Sequence, residues 1–166
     1  MKKLLAFLMT LAMLASLAVL PASAEEERVY TSLYSSEVST LNYLTSSTTW
    51  DYTPGANVVD TLIEYNNIGE IIPGLAETWE VSEDQLTWTF HLRKGVKFHS
   101  GKELTAEDVK ATYDRLLNKE DPVRYTQTMG FIDHCDIVDD YTINLVTLEP
   151  AGPMLASLTL RANTLL

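Results

Sequence analysis

Cysteine is almost absent from the sequence, since Cys135 is the only one among 166 residues. A single thiol excludes an internal disulfide. Cys135 lies in an alternating, strand-like run, and no cluster of cationic residues adjoins it in the sequence. We therefore expect its thiol to be buried and chemically inert.

Basic residues are also scarce. The chain has 12 Lys and Arg against 23 Asp and Glu, which gives a formal charge of −11, or −13 without Lys2 and Lys3. A protein that binds nucleic acid needs the opposite balance, because it must neutralise phosphates. Nucleic acid is therefore not an expected partner, and we interpret the acidity as favouring solubility.

The patterns that carry catalysis or metal binding are missing. His91, His99 and His134 do not share the spacing that lets two ligands converge on one metal ion. After residue 24 there is neither a Gly-x-Ser-x-Gly nor a Ser-x-x-Lys sequence, so no serine nucleophile is indicated. Glu103, Glu107 and Asp108 are close enough in sequence to suggest a pair of catalytic carboxylates, but a helix cap explains Asp108 and solvation explains the other two. We predict neither an enzyme nor a cofactor or metal site.

The amino terminus has the three parts of a secretory signal. Lys2 and Lys3 are followed by an apolar run over residues 4–20 and by small residues at positions 21–24. We predict a signal peptide over residues 1–24 and cleavage after Ala24. The alternative is an anchor helix, because roughly 17 apolar residues lie near the lower limit for crossing a bilayer. No cysteine stands at the cleavage position, so a lipid anchor is not expected.

The first half of the remaining chain predicts short mixed elements. Residues 28–34 are rich in β-branched and aromatic side chains, which indicates a first strand. Residues 35–53 are polar and predict a long loop, whereas the apolar spacing over 54–65 predicts a short helix. Asn and Gly at 66–70 predict a turn.

The second half has clearer patterns. Apolar residues alternate with polar ones over 79–81 and again over 86–92, with turn residues at 82–85, which predicts an antiparallel hairpin. Val96 and Phe98 suggest one more short strand. Thr105 and Asp108 have the spacing of a helix cap, and the helix should continue to about residue 117. Residues 137–148 predict a second hairpin, and residues 149–166 either a helix or a loop.

Two stretches of this region resemble a known family. Residues 73–82 and 86–99 resemble the signature of solute-binding protein family 5, the extracellular oligopeptide-, dipeptide- and nickel-binding components of ABC transporters. Residues 100–109 continue the likeness, with two departures: Ser100 stands where the family commonly has Asp, and Glu103 where it has Pro. Weaker similarity extends over residues 28 to about 160.

The resemblance implies an α/β, periplasmic-binding-protein-like fold with two lobes that close around a solute. It also implies that residues 25–166 form only part of the first lobe and its extra subdomain, in a truncated form of a longer chain. The expected partners are a short peptide and an ABC permease of the cytoplasmic membrane. The protein is then a monomer that acts in the periplasm or at the outer face of that membrane.

In the peptide-binding members of this family, the ligand lies extended between the lobes. The resemblance therefore places ligand contacts just after the first strand and near the loop aromatics, on Tyr34, Ser35, Ser36, Glu37 and Trp50. Nickel, haem or an oligosaccharide remain alternative solutes for the same fold. A secreted hydrolase with its nucleophile beyond residue 166, and an interaction protein, are the alternatives from other classes.

Overall fold

The structure, a computed structural model, describes residues 31, 37–40, 42–46, 48–55 and 57–160, apart from the side chain of Thr49. The expected signal peptide over residues 1–24 lies outside the described residues, as does nearly all of the expected strand over 28–34. From residue 37 onward, the described residues belong to one compact unit. Within the described part of the chain, no helix is both long and apolar enough to span a membrane.

The segment before residue 66 differs from the sequence-based prediction. Helix α1 spans Thr49–Gly55, where a loop was expected, and strand β1 spans Ile63–Tyr65, where a helix was expected. Leu62 and Ile63 are consecutive and both fully buried. Both residues are apolar because side chains on both sides of the chain are buried here. The apolar spacing does not come from the single apolar stripe of a helix.

Strand β2, Ile71–Pro73, pairs antiparallel with β1 to form a small separate sheet. The expected turn over residues 66–70 joins the two strands. Its geometry is set by Asn66, whose Oδ1 accepts hydrogen bonds from the N–H groups of Ile68 at 3.0 Å and Glu70 at 2.9 Å. An Asn side chain that bonds the backbone ahead of it is a common way to close a turn.

Among the described residues, the main sheet has four antiparallel strands, named by their chain order and arranged β3-β4-β6-β5. They are β3 Ala76–Val81, β4 Thr87–Leu92, β5 Ile132–Asp139 and β6 Thr142–Thr147. The two predicted hairpins are therefore confirmed, although β5 begins five residues before the predicted start. The predicted strand around Val96 and Phe98 is wrong, because only an isolated bridge between Lys97 and Glu103 forms there.

Helix α2, Ala106–Leu117, begins at the predicted cap. The Asp108 carboxylate accepts a hydrogen bond from the Thr105 N–H at 3.0 Å and closes a capping box. The helix packs on β5 and β6. The final segment contains a short helix, α3, over Met154–Leu158.

The core lies between α2 and one face of the main sheet. Phe90, Ile143 and Leu145 on the strands are fully buried, as are Val109 and Tyr113 on the helix. The Cys135 side chain is also buried in this layer, with 2% exposure, as predicted. The opposite face of the sheet is polar; there the Thr89 hydroxyl donates to Asn144 Oδ1 at 2.8 Å.

Candidate functional site

The residues predicted to contact ligand are partly described. Tyr34, Ser35 and Ser36 lie outside the described residues. Glu37 is exposed, and Trp50 is 37% exposed as the second residue of α1. The backbone N–H of Ser39 donates a hydrogen bond to the Asp51 side chain, a contact that we call the Ser39–Asp51 connection. Glu37 lies two positions before Ser39, and Trp50 directly precedes Asp51.

Asp51 is the centre of this connection. Its side chain is fully buried. The Ser39 N–H donates to Oδ1 at 2.7 Å, while Oδ2 accepts from the Ser39 hydroxyl at 2.8 Å and from the Ser46 hydroxyl at 2.7 Å. These hydrogen bonds, that of Ser46 foremost, hold the pKa of Asp51 well below its usual range. A buried carboxylate therefore ties both ends of the 39–46 segment to α1.

Aromatic side chains surround the same loop. The Tyr52 hydroxyl donates to the Ser46 carbonyl at 3.1 Å and contacts the Tyr125 hydroxyl in the segment before β5. The Tyr43 ring lies 6.0 Å from the Tyr52 ring, centroid to centroid. A Cβ on Gly55 would stand 2.6 Å from the Tyr43 ring, so the end of α1 packs directly on Tyr43. The loop is thus held by the hydrogen bonds of Asp51 and by its packing against tyrosine side chains.

Two depressions lie elsewhere on the described surface. One, of about 340 Å³, lies after α1 and is lined by Val58, Leu75 and Phe98 among others; His99 closes one wall, with Nε2 3.0 Å from the Val58 carbonyl oxygen. The other is a wide, polar hollow of about 730 Å³ beside the turn between β5 and β6, lined in part by Lys94. Neither is lined by Glu37 or Trp50, the described members of the predicted ligand set.

The histidines are held by hydrogen bonds or ion pairs. His91 Nε2 lies 4.0 Å from a Glu80 carboxylate oxygen. His134 lies between two carboxylates, with Nδ1 2.7 Å from Asp133 and Nε2 3.2 Å from Asp136. Among the described residues, no three potential ligands are grouped in a way that could hold a metal ion.

Glu103 and Asp108, which a carboxylate-pair hypothesis would combine, hold separate structural positions. Glu103 Oε1 accepts from the Tyr141 hydroxyl at 2.7 Å and from the Gly95 N–H at 3.0 Å. Asp108 caps α2 and forms an ion pair with Lys102. Burial by itself would raise the pKa of Asp108, but the hydrogen bonds from Lys102 and Thr105 lower it.

Sequence reasoning missed Asp51 and its serine partners. The available signal was a single acidic residue between two aromatic ones, Trp50 and Tyr52, in a stretch otherwise rich in Ser and Thr. Such a carboxylate has many neutral hydroxyl donors and no cation nearby in the sequence. This composition favours a hydrogen-bonded carboxylate over an ion pair.

Comparison with known proteins agrees with the resemblance of the signature region. Residues 70–166 match the family described as bacterial extracellular solute-binding proteins, family 5 middle. The dipeptide-binding protein of Escherichia coli is 41% identical over 151 residues, which cover 80% of this chain and 28% of that protein. Heme-binding protein A of Haemophilus influenzae is 33% identical over 167 residues, covering 82% of this chain and 30% of that protein.

A solved structure has the same fold. The ABC transporter-associated periplasmic binding protein DppA from Helicobacter pylori, in complex with the peptide STSA, matches 76% of this chain with a TM-score of 0.68 and 30% identity. The match covers 28% of that protein, so the chain spans little more than a quarter of the length of such relatives. The periplasmic-binding-protein-like fold expected from the sequence is confirmed, and the chain belongs to family 5 of the bacterial extracellular solute-binding proteins.

Proposed function

We propose that this chain contributes part of the solute-binding lobe of an ABC importer's extracellular component, and that its solute is a short peptide. The observation that carries the proposal is the 41% identity to a dipeptide-binding protein over four fifths of the chain. A structural relative in complex with a four-residue peptide supports the same solute class. The role is binding and delivery, without a chemical step.

The proposal includes the route of the protein. Residues 1–24 direct export and are removed after Ala24, and residues 25–166 form part of a longer two-lobed unit whose relatives are three to four times the length of this match. The protein works as a monomer in the periplasm or at the outer face of the cytoplasmic membrane. An ABC permease in that membrane receives the loaded form.

Ligand contact is assigned to Tyr34, Ser35, Ser36, Glu37 and Trp50. The described part of this set supports the assignment, because Glu37 and Trp50 are exposed on either side of the Ser39–Asp51 connection. An exposed indole offers a flat apolar surface. The side chains of an extended peptide can pack on it.

Haem is the second candidate solute, because a heme-binding protein is 33% identical over 82% of the chain. The two candidates differ in how they would be held. Haem binding relies on an axial ligand such as His, Cys, Met or Tyr. A peptide needs backbone donors and acceptors instead.

The decisive experiment measures peptide binding in a two-lobed context. The wild-type chain, and a chimera in which it replaces the matching 151-residue segment of the E. coli dipeptide-binding protein, are titrated by calorimetry with Ser-Thr-Ser-Ala and with dialanine. We expect the chimera to bind at least one peptide with a Kd within about tenfold of the unmodified E. coli protein, which is the positive control. A folded chimera that binds haem, seen as a shifted Soret band, and neither peptide would overturn the peptide assignment.

A further inference from the structure

We infer that Asp51 is a positioning residue for solute capture: its buried carboxylate ties Ser39 and Ser46 to α1, so that Glu37 and Trp50 present one preformed contact surface. The inference rests on the proposed function and adds a residue that does not itself touch the ligand.

Asp51 is a costly group to bury. A carboxylate removed from water must recover its lost hydration through hydrogen bonds or a nearby cation. Asp51 has no solvent exposure and accepts three hydrogen bonds of 2.7–2.8 Å from Ser39 and Ser46. The donors are neutral, and they come from both ends of one short segment. The charge is therefore stabilised only while that segment keeps this conformation.

The hydrogen bonds of Asp51 lie next to the predicted contact residues in the chain. Trp50 directly precedes Asp51 on α1, and the Ser39 N–H and hydroxyl together fix the backbone two residues after Glu37. A loop held at both ends has few conformations left to lose when a ligand binds. Preorganisation of this kind strengthens binding without adding a contact.

Tyr52 connects the loop to the rest of the unit. The Tyr52 hydroxyl contacts the Tyr125 hydroxyl, 73 residues along the chain, and also donates to the Ser46 carbonyl. Tyr52 follows Asp51 directly, so adjacent residues of α1 hold Ser46 through its side chain and its backbone. The loop orientation is thereby tied to the segment that leads into β5.

The matched test uses Ser39, which is an exposed residue. Ser39→Ala removes one hydroxyl donor to Asp51, whereas Ser39→Thr retains it and serves as the control. Asp51→Ala removes the acceptor altogether. All three variants are made in the full 166-residue chain and in the chimera described above.

The first measurement is amide hydrogen exchange of residues 39–51, with the β3–β4 hairpin as the internal reference. We expect Asp51→Ala to accelerate exchange at Ser39 at least about tenfold while the hairpin is unchanged; Ser39→Ala should have a smaller effect and Ser39→Thr none. Uniform acceleration, with the hairpin included, or no acceleration at Ser39 would overturn the inference.

The second measurement is the Kd for Ser-Thr-Ser-Ala in the chimera, well below the unfolding temperature of each variant. We expect Asp51→Ala to raise the Kd roughly tenfold to a hundredfold, and Ser39→Thr to leave it unchanged. If the wild-type chimera binds the peptide and Asp51→Ala binds it equally well, positioning by Asp51 is disproved while the proposed function stands. If the wild-type chimera binds no peptide but the loop loosens in Asp51→Ala, the peptide assignment fails and the loop anchor stands.

Discussion

The Tyr141 hydroxyl donates a hydrogen bond of 2.7 Å to Glu103, and thereby joins the segment before α2 to the turn between β5 and β6. Glu103 occupies a position where the family commonly has Pro. Pro has no side-chain acceptor, whereas the Glu103 carboxylate also accepts a hydrogen bond from the Gly95 N–H. Its pKa lies below the ordinary value, chiefly through the Tyr141 hydrogen bond.

Tyr141→Phe should raise the pKa of Glu103 toward its ordinary value. A carboxyl group with a lowered folded pKa stabilises the fold above its unfolded pKa, and this contribution is lost as the pH falls through the folded value. The variant should therefore show less loss of stability between neutral and acidic pH than the wild type. NMR titration of the Glu103 side chain measures the pKa, with Tyr65→Phe on the distant β1–β2 hairpin as the control. An unchanged Glu103 pKa in Tyr141→Phe would contradict the prediction.

Asp108→Ala should lower the free energy of unfolding by about 0.5–2 kcal/mol, because it removes the capping-box partner of Thr105 at the start of α2. The lowered pKa of Asp108 means that the contribution is present above its unfolded pKa and lost as the pH falls through the folded value. Urea unfolding at pH 7 and pH 3 measures both effects. Glu107→Ala is the matched control, an exposed neighbour in the same turn, with at most about 0.5 kcal/mol expected. Equal losses of unfolding free energy in the two variants would show that Asp108 does not stabilise α2 as a cap.

Gly74→Ala should destabilise the protein by about 1–3 kcal/mol. The new Cβ would stand 2.5 Å from the Thr61 carbonyl oxygen, and this backbone atom is fixed by the pairing around β1 and β2. Gly152→Ala is the control, since a Cβ there meets no atom within 4 Å. Urea unfolding should show a clear difference between the two variants. Similar unfolding midpoints would contradict the prediction, because they would mean that the backbone around β1 and β2 shifts to make room for the new Cβ.

The Cys135 thiol should resist labelling until the protein unfolds. Its side chain is 2% exposed, and burial raises the pKa of the thiol to about 12, so thiolate is scarce at pH 8. We expect reaction with an aromatic disulfide reagent to be at least about a hundredfold slower than in urea. Ser100→Cys in an exposed loop provides an internal fast-reacting thiol for comparison. Rapid labelling of both thiols without denaturant would contradict the burial of Cys135.

His134 should titrate above its ordinary value, because Asp133 and Asp136 hold its protonated form. A raised histidine pKa stabilises the fold below the unfolded pKa, and this stabilisation is lost as the pH rises through the folded value. Asp133→Asn should lower the His134 pKa more than Asp136→Asn does, since the Asp133 hydrogen bond is the largest cause of the shift. NMR titration of the imidazole distinguishes the two variants. The reverse order would show that Asp136 is the main partner.

The correctly predicted elements each have a sequence pattern that depends only on residues close together in the chain. The β3–β4 hairpin alternates with a period of two, and Thr105 with Asp108 marks a helix start whatever surrounds it. The start of β5 was missed because Ile132 is followed at once by Asp133 and His134, two polar residues that are typical of a connection. They belong to the strand because β6 pairs with it, and that partner lies farther along the chain.

The candidate site was less predictable than the scaffold, for a physical reason. Glu37 and Trp50 were selected by position in the family fold, whereas the arrangement that connects them depends on Asp51. Its burial follows from tertiary contacts with Ser39 and Ser46, and a sequence pattern does not encode such contacts. The predicted helix over 54–65 failed for a similar reason, since Leu62 and Ile63 are buried on both sides.

The strand order β3-β4-β6-β5 has a kinetic consequence. Each hairpin closes through neighbours in the chain, but the central β4–β6 ladder unites residues such as Thr89 and Asn144, which are 55 positions apart. Bringing them together costs loop-closure entropy before any shared apolar face is covered. We expect docking of the two preformed hairpins to limit the folding rate. Until they dock, the inner edges of β4 and β6 remain open to other chains.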